Sequence, residues 1–241
     1  MNTVNVILCG VGGQNVLRAG ELLSRAAMHA GYDVKMSAPS SGEHSGESTS
    51  CHVRWGQKVY SPVIRQGEAD FIISFEQMET LRQLPMGKNG VAVIVNDDVI
   101  PPRAGRESFP YPDNIEDLVN AVHGTFHLIP AKHLSGEDGH VALTLLGAFA
   151  AFNQCSQESW VQAIREWADG DPELSLAVFH QGQESVHEPL RIEVGERFEL
   201  PDSPTPKGVR SFDEMLALVK TLPQRRVAIA GAENKAALHA G

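Results

Sequence analysis

Val4-Asn5-Val6-Ile7-Leu8-Cys9 runs directly into Gly10-Val11-Gly12-Gly13-Gln14-Asn15, and apolar residues then recur at Leu17, Leu22, Leu23, Ala26, Ala27 and Ala30. The short apolar run reads as a buried strand, and the spacing after it as one face of a helix over Val16–Ala30. Glycines between them allow a tight reversal, and Gly31 is a natural stop for the helix. A strand, a glycine turn and a helix at the start of the chain predict an α/β fold with a largely parallel sheet.

The remaining pattern alternates in the same way. Asp33–Ala38 reads as a second strand, Asp70–Phe75 and Val91–Asn96 as buried strands, and Thr125–Ile129 as a fifth. A helix over Glu76–Gln83 lies between two of them and is ended by Pro85. His52–Trp55 and Lys58–Tyr60 flank Gly56-Gln57 and predict a short antiparallel hairpin. Beyond residue 140 the pattern is helical. Val141–Phe152 is almost wholly apolar, Gln157–Ala168 is amphipathic with Ser156 as its N-cap, and Pro172–Gln183 begins with proline, where a helix tolerates it. The expected domain is residues 1–187. Residues 188–241, with Pro189, Pro201, Pro204 and Pro206, read as an extended arm with one short helix over Phe212–Thr221, ordered by a partner.

Composition narrows the function. The chain has 241 residues, 42% hydrophobic and 21% charged, with a formal net charge of -10. That acidity argues against non-specific nucleic-acid binding. No apolar run reaches the roughly 18 residues of a membrane-crossing helix, and no secretory signal is evident. Cys9, Cys51 and Cys155 are far apart, without a C-x-x-C pair. They read as reduced thiols of a cytoplasmic protein, and any iron–sulfur cluster is expected on another chain.

Two segments are candidate sites. The turn Gly10-x-Gly12-x-x-Asn15 precedes a helix N-terminus, where backbone amides and the helix dipole suit an anion. It has Asn at the third position of the dinucleotide fingerprint, and no acidic residue ends the second strand, since Asp33 lies at its start. Three readings remain at this point: a nucleotide site for NAD or an adenylate, a plain strand-to-helix turn, and a turn set against a cofactor held by a partner. The polar stretch Pro39–Ser50 follows a parallel-type strand, so it is expected at the carboxyl edge of the sheet. Its hydroxyls, His44 and Ser45 offer hydrogen bonds to a carboxylate or phosphate, unless the loop is only solvated surface. His52 and Arg54 share one face of a strand and suit either a ligand or a satisfied structural pair. No G-x-S-x-G, P-loop or H-E-x-x-H is present, which removes hydrolase, kinase and zinc-protease readings.

Several motifs together resemble a known family. They are Val11-Gly12-Gly13-Gln14 after an apolar strand, Gly31-Tyr32-Asp33-Val34, Cys51-His52-Val53-Arg54 after the loop, Val59-Tyr60-Ser61-Pro62, Glu68-Ala69-Asp70, and Leu145-Leu146-Gly147-Ala148 before the Trp160 helix. As a set, covering about residues 4–185, they are similar to the gamma domain of 2-oxoacid:ferredoxin oxidoreductases, and most of all to the beta-subunit branch that acts on indolepyruvate. The resemblance implies a three-layer, Rossmann-like α/β domain with helices on both faces of the sheet. It implies a subunit, inactive alone, of an enzyme that oxidatively decarboxylates a 2-oxoacid to an acyl-CoA and passes electrons to ferredoxin. It implies that a larger alpha subunit carries thiamine diphosphate, Mg and iron–sulfur clusters, and that this chain binds none of them by itself. Carried over by position, Gly10, Gly12, Gly13, Gln14, Asn15 and Arg54 become candidates for contact with partner-held thiamine diphosphate or with CoA, and His44, Ser45 and His52 for supporting roles in catalysis. The chain departs from the family pattern twice. Asn15 stands where the family has Gly, and Asn tolerates the left-handed region better than most residues. His44-Ser45-Gly46-Glu47 stands where the family often has Gln-Arg-Gly-Gly, so a cation is lost and an acid gained.

Overall fold

The computed structural model describes residues 3–40, 47–100, 111–112, 114–122, 124–135, 140–152 and 155–186. The expected arm over 188–241 lies outside them. Six strands form one mixed sheet: β1 (Val4–Val11), β2 (Asp33–Ser40), β3 (Ser48–Gly56), β4 (Ala69–Ser74), β5 (Gly87–Asn96) and β6 (Thr125–Ile129), in the order β2-β3-β1-β4-β5-β6. β1, β4, β5 and β6 pair in parallel, while β3 runs antiparallel to both β1 and β2.

The sheet departs from the sequence expectation at β3. There is no hairpin across Gly56-Gln57. β3 starts at Ser48, pairs Ser48, Thr49 and Ser50 with Val11, Gly10 and Cys9, and forms a ribbon with β2. The connection between these strands therefore shortens to residues 41–47. Thr49 and Ser50 are buried although polar, because strand pairing rather than side-chain apolarity holds them. Lys58–Tyr60 form no strand. That segment is instead tied back to β2 by the Val59 amide, which donates to Asp33 Oδ2 at 2.9 Å.

Helices cover both faces. Alternate strand residues Leu8, Cys51, Val53, Trp55 and Ile73 pack with α1 (Val16–His29) and α5 (Val141–Ala150) in one core. On the opposite face Cys9 meets α2 (Gln77–Gln83), and α3 (Ile115–Ala121) lies against β6. Two short helices, α3 and α4 (Ala131–Ser135), were not anticipated from the sequence. Behind α5 lie α6 (Gln157–Trp167), capped by the Ser156 hydroxyl as expected, and α7 (Pro172–Ser185). Every residue of α5 from Val141 to Phe149 is buried. Phe149 is the hub, with edge-on contacts to Phe71 at 5.0 Å, Trp55 at 6.2 Å and Trp160 at 6.5 Å between ring centres. No helix among the described residues is long and apolar enough to cross a membrane.

Candidate functional site

β1 and β2 point the same way, since both are antiparallel to β3. The glycine turn after β1 and the 41–47 connection after β2 therefore emerge at the same carboxyl edge, where ligands meet open α/β sheets. They also touch: the Gly12 amide donates to the Glu47 carbonyl at 2.7 Å. His44 and Ser45 lie outside the described residues, but both ends of their connection are fixed. The Ser40 hydroxyl donates to the Ser48 carbonyl at 2.6 Å.

The turn is organised by Gln14. Its Oε1 accepts from the Val11 amide at 2.9 Å, and its Nε2 donates to the Phe75 carbonyl at 3.1 Å and to Asp98 Oδ2 at 3.4 Å. A Cβ at Gly10 would stand 2.7 Å from Gln14 Oε1 and 2.9 Å from both Phe75 Cβ and Val16 Cγ2, so that glycine makes room for Gln14 rather than for a ligand. Gly13 has φ of 100° and Asn15 has φ of 60°, which explains both residue types. The turn predicted for Asn15 is thus formed without glycine.

Two features of this arrangement speak against a dinucleotide on this chain. The Val11 and Gly12 amides are bonded within the turn and its neighbour. The one acid in the second strand, Asp33, holds the Val59 amide and the Lys35 ammonium, whose hydrogen bond keeps its carboxyl below the usual range. Calorimetric titration of the isolated chain with NAD(H) up to millimolar concentration is expected to show no binding. A micromolar dissociation constant would restore the nucleotide reading.

His52 and Arg54 are not brought to this edge. Their cross-strand partners are Ile7 and Asn5, while Ser48 at the edge pairs with Val11, which puts Arg54 on the order of 20 Å down the strand. His52 is buried, and its Nδ1 accepts from the Ile64 amide at 3.3 Å. Burial, and then the Arg54 charge, push its pKa down and favour the neutral ring that this bond requires. Arg54 Nε donates to Asn5 Oδ1 at 2.7 Å, and its Nη1 donates to the carbonyls of Val63 at 2.6 Å and Ser61 at 3.1 Å. The pair fastens the Ser61–Ile64 segment to the sheet.

A buried acid cluster at the carboxyl edge was missed in the sequence. Glu76 caps α2, with its Oε2 accepting from the Glu79 amide at 3.0 Å. Its Oε1 accepts from the Tyr111 hydroxyl and from the Ile100 amide. Glu79 accepts from the Ser48 hydroxyl at 2.5 Å and from Arg82 Nε at 3.0 Å. Both carboxyls are almost fully buried, and burial pushes their pKa values up against these hydrogen bonds. A Glu-x-x-Glu pair straight after an apolar strand was the available signal, as a variant capping box. The thiols are a different matter. Cys51 and Cys155 are pushed up to about 12 and about 11 by burial, and burial raises Cys9 further still, so none is a ready thiolate.

Fold and edge together define a three-layer α/β domain with a mixed sheet and a closed glycine turn. The model of the pyruvate ferredoxin/flavodoxin oxidoreductase family matches residues 5–185, and the chain belongs to that family. Two relatives are indolepyruvate oxidoreductase subunits IorB. That of Thermococcus kodakarensis is 34% identical over 174 residues, covering 68% of this chain and 86% of its own. That of Methanothermobacter thermautotrophicus is 34% identical over 170 residues, covering 67% and 86%. Among solved structures, the gamma subunit of a keto/oxoacid ferredoxin oxidoreductase from Geobacter sulfurreducens superposes with a TM-score of 0.55 at 19% identity, over 76% of this chain and 97% of that one. A 2-oxoglutarate:ferredoxin oxidoreductase from Magnetococcus marinus, solved with 2-oxoglutarate, coenzyme A and succinyl-CoA bound, gives 0.59 at 17% identity, over 77% and 31%. The protein is accordingly a subunit of a 2-oxoacid oxidoreductase, similar to IorB chains and built on the fold of the gamma subunits.

Proposed function

We propose that this chain completes the active site of a cytoplasmic, thiamine-diphosphate-dependent oxidoreductase that converts an arylpyruvate such as indolepyruvate to its acyl-CoA, with ferredoxin as electron acceptor. The larger alpha partner holds the thiamine diphosphate, Mg and iron–sulfur clusters. One observation carries the reading: the glycine turn and the 41–47 connection are bonded to each other at one carboxyl edge of a family domain, through Gly12 and Glu47. Because the Val11 and Gly12 amides are spent within the edge, the edge serves as a wall for a group held elsewhere. A tagged chain co-expressed with the partner should bring down a brown complex containing thiamine and iron. A stable complex lacking both would overturn the proposal.

The finer part concerns His44 and Ser45, which we place facing the partner's site, with Glu47 keeping polyanions at a distance. Each close charge pair in a partly hydrated site is worth on the order of 1 kcal/mol. In the assembled complex His44→Ala should lower kcat/KM by about tenfold, or about 1.4 kcal/mol, without unfolding the domain. Ser45→Arg with Glu47→Gly should tighten the apparent CoA affinity or shift substrate preference. If all of these stay within about twofold, the connection is solvated surface and the subunit a scaffold.

A further inference from the structure

Glu79 ties its own helix α2 to two strands. Its backbone carbonyl accepts from Cys9 Sγ of β1 at 3.6 Å, and its carboxylate joins Arg82 to the Ser48 hydroxyl at the start of β3. Ser48 follows Glu47, whose carbonyl receives the Gly12 amide. A continuous line of bonds thus runs from α2, through Arg82, Glu79, Ser48 and Glu47, to the glycine turn. A second line braces its root: Ser74 Oγ donates to the Glu76 carbonyl at 2.6 Å, and Glu76 holds the Glu79 amide together with Ile100 and Tyr111.

A carboxylate with its residue only 4% exposed is a poor way to gain stability. Its desolvation is costly, and an apolar side chain of the same size would avoid that cost. What the charge gives instead is direction. An ionised acceptor makes a short, oriented bond to a hydroxyl, and the Ser48 bond of 2.5 Å is of that kind. Burial, joined by the Glu76 charge, pulls the Glu79 carboxyl up, and the bonds from Ser48 and Arg82 oppose that pull by favouring its charged form.

We infer that Glu79 is a positioning residue: acting through Ser48, it fixes the Glu47–Thr49 stem against the glycine turn and so sets the wall this subunit presents to the partner's 2-oxoacid site. The last step rests on the function proposed above, and the first does not. The pair is tested with Glu79→Gln, Ser48→Ala, the double variant and Ser48→Thr, each in the full chain. Amide hydrogen exchange on the chain alone should show the Gly12 amide exchanging about tenfold faster in either single loss variant, with no further gain in the double. In the complex with its partner, the same variants should raise KM for the 2-oxoacid about fivefold while kcat stays within twofold, and Ser48→Thr, which keeps the hydroxyl, should restore KM. Unchanged Gly12 exchange in both single variants, or additive effects in the double, overturns the inference. If Glu79→Gln fails to fold, the Ser48→Ala and Ser48→Thr pair decides by the same readings. A wild-type complex with no 2-oxoacid-dependent activity would remove the proposed function, while the exchange measurement would still decide the coupling.

Discussion

Gly182→Ala and Gly147→Ala are each expected to destabilise the domain by roughly 3 kcal/mol or more, as overpacking against rigid neighbours does. The two glycines lie where α5 and α7 touch backbone to backbone. A Cβ on Gly182 would overlap the Thr144 carbonyl oxygen and stand 2.8 Å from its carbon. A Cβ on Gly147 would overlap the Phe179 carbonyl oxygen and stand 3.1 Å from the Gln183 nitrogen. Alanine would improve helix propensity by about 1 kcal/mol, but these obstacles are main chain and cannot rotate away. The helices would have to separate, and that would open the layer of Phe149, Trp160 and Phe179. For a domain of this size the melting temperature should fall by roughly 6–12 °C or the chain should fail to fold. Gly170→Ala, with nothing within 4 Å of the added Cβ, is the control and should melt with the wild type. Thermal melts by circular dichroism check this; Gly182→Ala within about 2 °C of wild type would show that α7 shifts freely.

Those glycines also mark what the sequence does and does not reveal. Gly147 sits in an apolar run that plainly predicts a buried helix, yet nothing local says that Phe179 crosses it. The same division holds in the sheet. β1, β4 and β5 are legible because the core of each is buried on both faces and reads as an apolar run, whereas the edge strand β6 exposes Thr125 and Leu128 and reads only from a short mixed pattern. β3 is half hidden, since Ser48, Thr49 and Ser50 are held by pairing with β1, the last two of them buried, and carry no apolar signal of their own. The hairpin expected at Gly56-Gln57 is absent for a related reason: β3 pairs with β1 and with β2, the latter across a seven-residue polar connection, and not with the segment that follows it. At the site, the glycine turn and the left-handed Asn15 follow from residue types. The acid cluster does not, because Glu79 meets Ser48 from 31 positions away and Glu76 meets Tyr111 from 35. His52 and Arg54 were correctly placed on one face, but what they hold, Ile64, Asn5, Ser61 and Val63, depends on how the chain returns after β3.

Purified alone, the chain is expected to be colourless and to give no 2-oxoacid-dependent reduction of ferredoxin or a viologen. With the larger subunit proposed above, turnover should enter the ordinary enzyme range of about 1–1000 per second. The difference follows from chemistry the chain lacks. Decarboxylation leaves an acyl carbanion equivalent, which needs an electron sink of the thiamine kind, and two electrons must then leave through one-electron carriers. A four-iron cluster takes four thiolates, and this chain has three cysteines, on β1, on β3 and ahead of α6, each buried and each with its pKa raised. Its carboxylates and imidazoles can orient a substrate but cannot hold that carbanion. The converse experiment measures what this chain contributes. Omitting it from the partner should leave thiamine and clusters in place but lower kcat/KM about a hundredfold or more, the scale of lost positioning and exposed solvent at a reacting centre. A partner that turns over at full rate without it would reduce the glycine turn and the Glu47 stem to scaffold. A brown, cluster-bearing preparation of this chain alone would overturn the division of labour altogether.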